Sequence, residues 1–163
     1  MRSTQGQRGF SLIELLIVVA IILIIAAIAI PSLLKSKMSA NEASAAESLR
    51  TIDTGETTYA AMCPSTGYSA SLVELNTGAT CPSGKGIIDD VLGGADPSTK
   101  AGYTFTYTPA PAGAGGLITG YTLVAMPQVA HVTGQRAFYT DQTNIVRYTP
   151  DGSAPNAGSA PLQ

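Results

Sequence analysis

The sequence predicts an α+β protein. One long N-terminal helix, membrane-spanning in its first half and amphipathic in its second, packs on a small antiparallel β-sheet head. Three patterns predict it. From Leu15 to Ile30 no polar residue interrupts the chain. Beyond it, Leu34, Met38, Ala45, Leu49, Ile52, Tyr59 and Cys63 recur at spacings built from threes and fours, which is one face of a helix. Later, "YTFTYT" at 103–108 alternates aromatic and threonine residues, the period of a half-buried strand.

The first element is the polar flank "MRSTQGQRG", residues 1–9, with two arginines and no acid. Residues 10–34 follow, interrupted only by Ser11, Glu14, Pro31 and Ser32. A run of ~20 apolar residues spans a bilayer as a helix. A removable secretory signal fits poorly, because its apolar core is shorter than this one. A plain anchor accounts for the length but not for Glu14, since a carboxylate near the bilayer centre costs about 2.5–3.5 kcal/mol. A third reading uses the flank. If a protease cuts between Gly9 and Phe10, the new α-amine lies one helical turn from Glu14. The two charges then pair within a chain or between neighbours, and a buried pair between chains fixes their register.

The stretch "RGFSLIELLIVVAIILIIAAIAIP" resembles the N-terminal segment of type IV prepilins and pseudopilins. Gly9, Phe10, Ser11, Leu12, Glu14 and Pro31 fall where that family has them, and the resemblance ends near residue 35. It implies a pilin-like fold. It also implies a prepilin peptidase that removes residues 1–9, cutting after Gly9 and N-methylating Phe10. Glu14 would then pair with the Phe10 amine of an adjacent subunit, and the helix would become a filament core. The implied partners are further copies of the chain, the peptidase, and a pilus assembly platform with its ATPase. The implied location is the inner membrane for the precursor and an extracellular filament afterwards, or the periplasm for a pseudopilin. Charge alone barely orients the segment, with Arg2 and Arg8 before it and Lys35 and Lys37 after it.

Pro31 removes one helical hydrogen bond and crowds the preceding turn, so a kink is expected there rather than a helix end. Residues 35–62 continue the helix with the apolar stripe on one side and Ser39, Asn41, Ser44, Glu47 and Arg50 on the other. Pro64 stops it. A helix from 10 to 62 runs about 80 Å at 1.5 Å per residue. A coiled-coil seam is the competing use of the stripe. Glu42 and Glu56 interrupt it, and the β region that follows needs a helical cover.

Residues 63–100 are rich in turns, with "SASLVELN" a short helix or irregular strand. Cys63 and Cys81 lie beyond the apolar segment, so in an exported region they read as a disulfide worth about 3 kcal/mol in loop entropy. A metal or redox pair is the weaker alternative at this spacing. Asp89, Asp90 and Asp96 lack the spacing of a calcium loop, and no metal site is expected.

Residues 101–149 read as a meander of about four strands. They are 103–108, 117–126, 136–141 and 144–149, the last two joined by a turn near Gln142 and Thr143. "PAPAGAGG" is the loop after the first. The tail, 150–163, lacks periodicity and reads as loosely held.

Charged residues make up 12% of the chain and net charge is −2, with no basic run, so nucleic acid is not an expected partner. His131 is the only histidine, which excludes a histidine metal cluster. "GAGG" at 113–116 precedes a strand and is a weak nucleotide signal. No base is paired by any motif with the abundant serines and threonines. Neither catalysis nor a cofactor is expected. The sequence reads as a structural filament subunit, with a type II secretion pseudopilin as the alternative.

Overall fold

The computed structural model describes residues 9–81, 83 and 85–162. The expected leader therefore lies, apart from Gly9, outside the described residues. The chain divides into two compact units, one up to Ser36 and one from Lys37 onward. Helix α1, Leu12–Met62, runs through Pro31 without ending and supplies residues to both.

In the first unit α1 carries its apolar side chains unburied. Every residue from Phe10 to Leu34 is exposed except Ala26, which is half-buried. This stretch is long and apolar enough to cross a membrane, and no part of its most apolar window is buried.

In the second unit the helix has a buried face. Ala45, Leu49, Ile52 and Tyr59 are at most 1% exposed and join one hydrophobic core with the sheet. Full burial of an aliphatic side chain such as Leu49 or Ile52 contributes about 1.5–3 kcal/mol. Leu34 and Met38 begin the predicted stripe but stay outside this core, Leu34 exposed and Met38 half-buried. Cys63 follows the last turn, its amide donating to the Tyr59 carbonyl, and Pro64 ends the run.

Two short helices stand where mostly turns were expected. In α2, Leu72–Thr77, the Ser71 side chain accepts from the Glu74 amide, and Gly78 at φ 59° closes the C-terminal end. In α3, Asp90–Gly93, the Asp89 side chain caps the Leu92 amide. Both caps satisfy amides that the first helical turn leaves without partners.

The sheet is antiparallel throughout, six strands in sequence order: β1 Ser98–Lys100, β2 Tyr103–Pro109, β3 Tyr121–Pro127, β4 Ala137–Asp141, β5 Arg147–Thr149 and β6 Ala160–Pro161. Tyr103, Phe105 and Tyr107 are buried along β2 with less buried threonines between them. The long β2–β3 ladder pairs Phe105 with Ala125 and Tyr107 with Leu123.

Three expectations need correction. The sheet has six strands, not about four: β1 and β6, three and two residues long, are too short to carry a period. The third strand begins at Tyr121, not 117, because Ile118 exchanges backbone hydrogen bonds with Thr66 and Tyr68 instead of entering the β2 ladder. The tail is pinned. Tyr148 pairs with Ala160, Arg147 with Pro161, and the Leu162 amide donates to the Val146 carbonyl at 2.8 Å. Backbone pairing needs no side-chain pattern, and Pro161 is tolerated because β6 is an edge strand.

Candidate functional site

At the start of α1 the sequence reads Ser-x-x-Glu, the pattern of a capping box. Ser11 precedes the first helical residue, and Glu14 stands three positions later. The Ser11 amide donates to Glu14 Oε2 at 2.9 Å. The carboxylate therefore sits at the positive end of its own helix, where a negative charge is favoured. Phe10 lies just outside the helix, 78% exposed, and Gly9 precedes it with open space around its Cα. Cleavage between Gly9 and Phe10 would free an amine one residue before the amide that Glu14 already holds. Glu14 Oε1 has no partner among the described residues.

The second set of groups was missed from sequence. Glu42, Asp53 and Glu56 are 7%, 4% and 0% exposed, all on the face of α1 that meets the rest of the unit. Eleven residues are close to three helical turns and three residues close to one, so these acids share the stripe of Leu49, Ile52 and Tyr59. That spacing was legible; what it lacked was any sign of the donors waiting opposite.

Glu42 is met by donors just before β4. Its Oε1 accepts from the Gln135 amide at 2.8 Å and the Arg136 amide at 3.1 Å, and Oε2 from Arg136 Nε at 2.8 Å. Burial pushes this carboxyl up, but the two amides and the guanidinium outweigh it and hold it below its ordinary value. Arg136 in turn lies over the rings of Phe138 and Tyr148, 5.5 and 5.7 Å from their centroids.

Among the described residues neither Asp53 nor Glu56 makes an ion pair. Asp53 accepts from Tyr121 on β3 at 2.9 Å and Thr140 on β4 at 2.7 Å. Burial pushes it up to about 6 in spite of these donors, and the charge of Asp141 adds to the rise. Glu56 accepts from the Ser69 amide at 2.9 Å and lies against the Ser69 hydroxyl. It too is pushed up, by burial first and by the charge of Asp53 last.

Cys63 and Cys81 form a disulfide with Cα atoms 6.2 Å apart. Glu74 holds the same loop from inside. Its Oε1 accepts from the Tyr59 hydroxyl, the Thr80 amide and hydroxyl, and the Cys81 amide, at 2.7 to 3.3 Å. The three aspartates weighed as calcium ligands each meet a protein donor. Asp89 accepts from Lys100 at 2.8 Å, Asp90 from Asn76 at 2.9 Å, and Asp96 from the Leu72 amide at 3.3 Å. His131 is exposed in the β3–β4 loop at φ 62°.

Residues 4–30 match the family model described as the prokaryotic N-terminal methylation motif, the prepilin-type signal of type IV pilins and pseudopilins. No curated protein and no solved structure matches the chain.

Proposed function

We propose that this chain, which bears the prepilin-type methylation signal, is a structural subunit of a type IV pilus-like filament. The observation that carries the reading is a conjunction: the motif over residues 4–30 coincides with a helix whose large apolar side chains, from Leu12 to Leu34, are all exposed. Such a surface requires lipid or other helices around it.

The mechanism follows from the residues at the N-terminal end. A prepilin peptidase cuts after Gly9 and methylates the new Phe10 amine, which remains a cation. In the membrane, helices gain little hydrophobic energy by associating, because lipid tails are as apolar as leucine. Close packing at Ala20, Ala26, Ala27 and Ala29, together with charge pairing, then drives assembly. The Phe10 ammonium of an incoming subunit meets Glu14 of its neighbour at the carboxylate oxygen not held by Ser11. Pro31, inside α1, leaves the Ala27 carbonyl without its helical donor, and we place the bending of the packed helix there.

The test is chemical and morphological. The mature chain should begin at N-methylated Phe10 by mass spectrometry, and sheared surface fractions should contain long fibres made of it. A mature terminus at any other residue, or a monomer confined to membranes, overturns the proposal. Short fibres held in the periplasm would identify a type II secretion pseudopilus instead.

A further inference from the structure

The seat of α1 on the sheet contains two carboxyl groups, Asp53 and Glu56, that are 4% and 0% exposed and are met by neutral donors. Around Glu56 the donors come from Ser69: its amide lies 2.9 Å from Oε2 and its Oγ 2.5 Å from Oε1. The Tyr107 hydroxyl beside them donates to the Ser69 carbonyl at 2.9 Å. Around Asp53 the donors are hydroxyls, Tyr121 at 2.9 Å from Oδ1 and Thr140 at 2.7 Å from Oδ2. The Tyr121 hydroxyl also lies 3.3 Å from Oδ1 of the exposed Asn144. Asn144 is oriented by its amide nitrogen, which donates to Thr57 at 3.3 Å, and Thr57 donates onward to the Asp53 carbonyl at 2.9 Å. An oxygen acceptor therefore faces Tyr121 from that side.

One added proton at each acid fits the same contacts. A proton on Glu56 Oε1 donates to Ser69 Oγ, whose own hydrogen then turns to the Ser71 carbonyl, while Oε2 keeps the Ser69 amide. A proton on Asp53 Oδ1 donates to Tyr121, whose hydrogen then turns to Asn144, while Oδ2 keeps Thr140. The neutral acid is thus held by as many partners as the anion, without the cost of burying a charge that no cation among the described residues meets.

We propose that Asp53 and Glu56 form a proton-binding pair in the interface between α1 and the sheet, and that the C-terminal unit is tightened by proton uptake in the mildly acidic range.

The surrounding charges agree. From β4 the Asp141 carboxylate faces Asp53, and from β3 and β2 the groups are the phenols of Tyr121 and Tyr107. Asp96 adds negative charge near Tyr107, and Tyr59 is the neighbour of Glu56 on its own helix. Arg50 lines the outer groove beside Asp53 but pairs with Glu47 at 3.4 Å. Among the described residues no lysine or arginine makes an ion pair with either acid. Both carboxyls are raised by burial, Asp53 to about 6. A raised native value means that the folded state binds protons the unfolded state does not, so stability grows as pH falls through that range.

The experiment uses the full chain in detergent micelles. A His131→Asn background removes the chain's one imidazole, and asparagine tolerates the positive φ there. Denaturant unfolding is followed from about pH 7.5 to about pH 5, where each proton taken up shifts the unfolding equilibrium about tenfold per pH unit. Stability should rise on acidification. Asp53→Asn and Glu56→Gln, neutral and of like shape, should each flatten the rise, and together abolish it. A flat or falling wild-type curve, or a rise that survives the double variant, overturns the proposal. Should the variants fail to fold, carboxyl-carbon NMR of the unsubstituted chain decides. Two acids titrating well above the ordinary carboxylate range support the pair, and titration of all acids within that range refutes it.

Discussion

Glu14 accepts a 2.9 Å hydrogen bond from the backbone amide of Ser11. The carboxylate proposed to greet an incoming ammonium therefore already caps its own helix. The two roles make different demands. A cap needs only an acceptor oxygen at that position, and glutamine serves there as well as glutamate. Pairing with an ammonium needs a negative charge.

Glu14→Gln should thus keep the helix start and the cleavage after Gly9 yet lose fibre assembly, as Glu14→Ala should. Immunoblots for processed chain and electron microscopy of sheared fractions check this. Normal fibre yield from Glu14→Gln would leave Glu14 as a cap and nothing more.

How far this arrangement was legible differs along the chain. Strong periodicity announced α1 to within two residues at its start, and it announced β2, because Tyr103, Phe105 and Tyr107 must all turn to one side. Cys63 and Cys81 announced their bond by position. The strands β1 and β6 gave no sign, since a two- or three-residue ladder rests on amide pairing alone. The acids of the α1 seat were read the wrong way. Glu42 and Glu56 looked like interruptions of an apolar stripe, whereas Glu42 is bound by two amides and a guanidinium from the residues just before β4, ninety-odd residues on. A sequence shows a buried acid readily; its donors become visible only when the topology brings them round.

The Glu42 seat yields a stability prediction. Glu42→Ala strands the Gln135 and Arg136 amides and leaves Arg136 without its carboxylate. Losing a buried charged acceptor of this kind costs about 3 kcal/mol. Glu42→Gln keeps one acceptor oxygen and should cost less than half of that. Chemical denaturation of both variants measures the difference. Equal losses would show that a neutral acceptor contributes nothing there and that the charge on Glu42 carries the whole effect.

The disulfide should act locally as well as globally. A Cys63→Ser, Cys81→Ser double variant loses the loop constraint, about 3 kcal/mol in the chain-entropy account. Glu74 still holds Thr80, the Cys81 position and Tyr59. The loop should therefore stay folded at the expense of faster amide exchange between residues 64 and 80. Exchange rates that rise equally across the sheet would contradict a local role.

The acid limb of stability follows from a different set of groups. In Glu42 and Glu74 burial pushes the carboxyl up, but donors outweigh it: Gln135 and Arg136 for the first, Thr80, Tyr59 and Cys81 for the second. Asp141 is likewise lowered, because Thr143 and Tyr139 donors overcome its burial. Asp89 is lowered chiefly by Lys100. For each, the folded value lies below the ordinary one of 4.5 for glutamate or 3.8 for aspartate. Their contribution is complete above those ordinary values and disappears as pH falls through the folded ones. Stability should therefore decline below about pH 4, opposite in sign to the change proposed for Asp53 and Glu56 at higher pH. In the Asp53→Asn, Glu56→Gln double variant the decline should remain after the rise has gone, because Glu42 and Glu74 are untouched. Denaturant midpoints between about pH 2.5 and about pH 4.5 measure it. A curve that stays flat through that interval would mean the unfolded chain holds these carboxylates as tightly as the fold does.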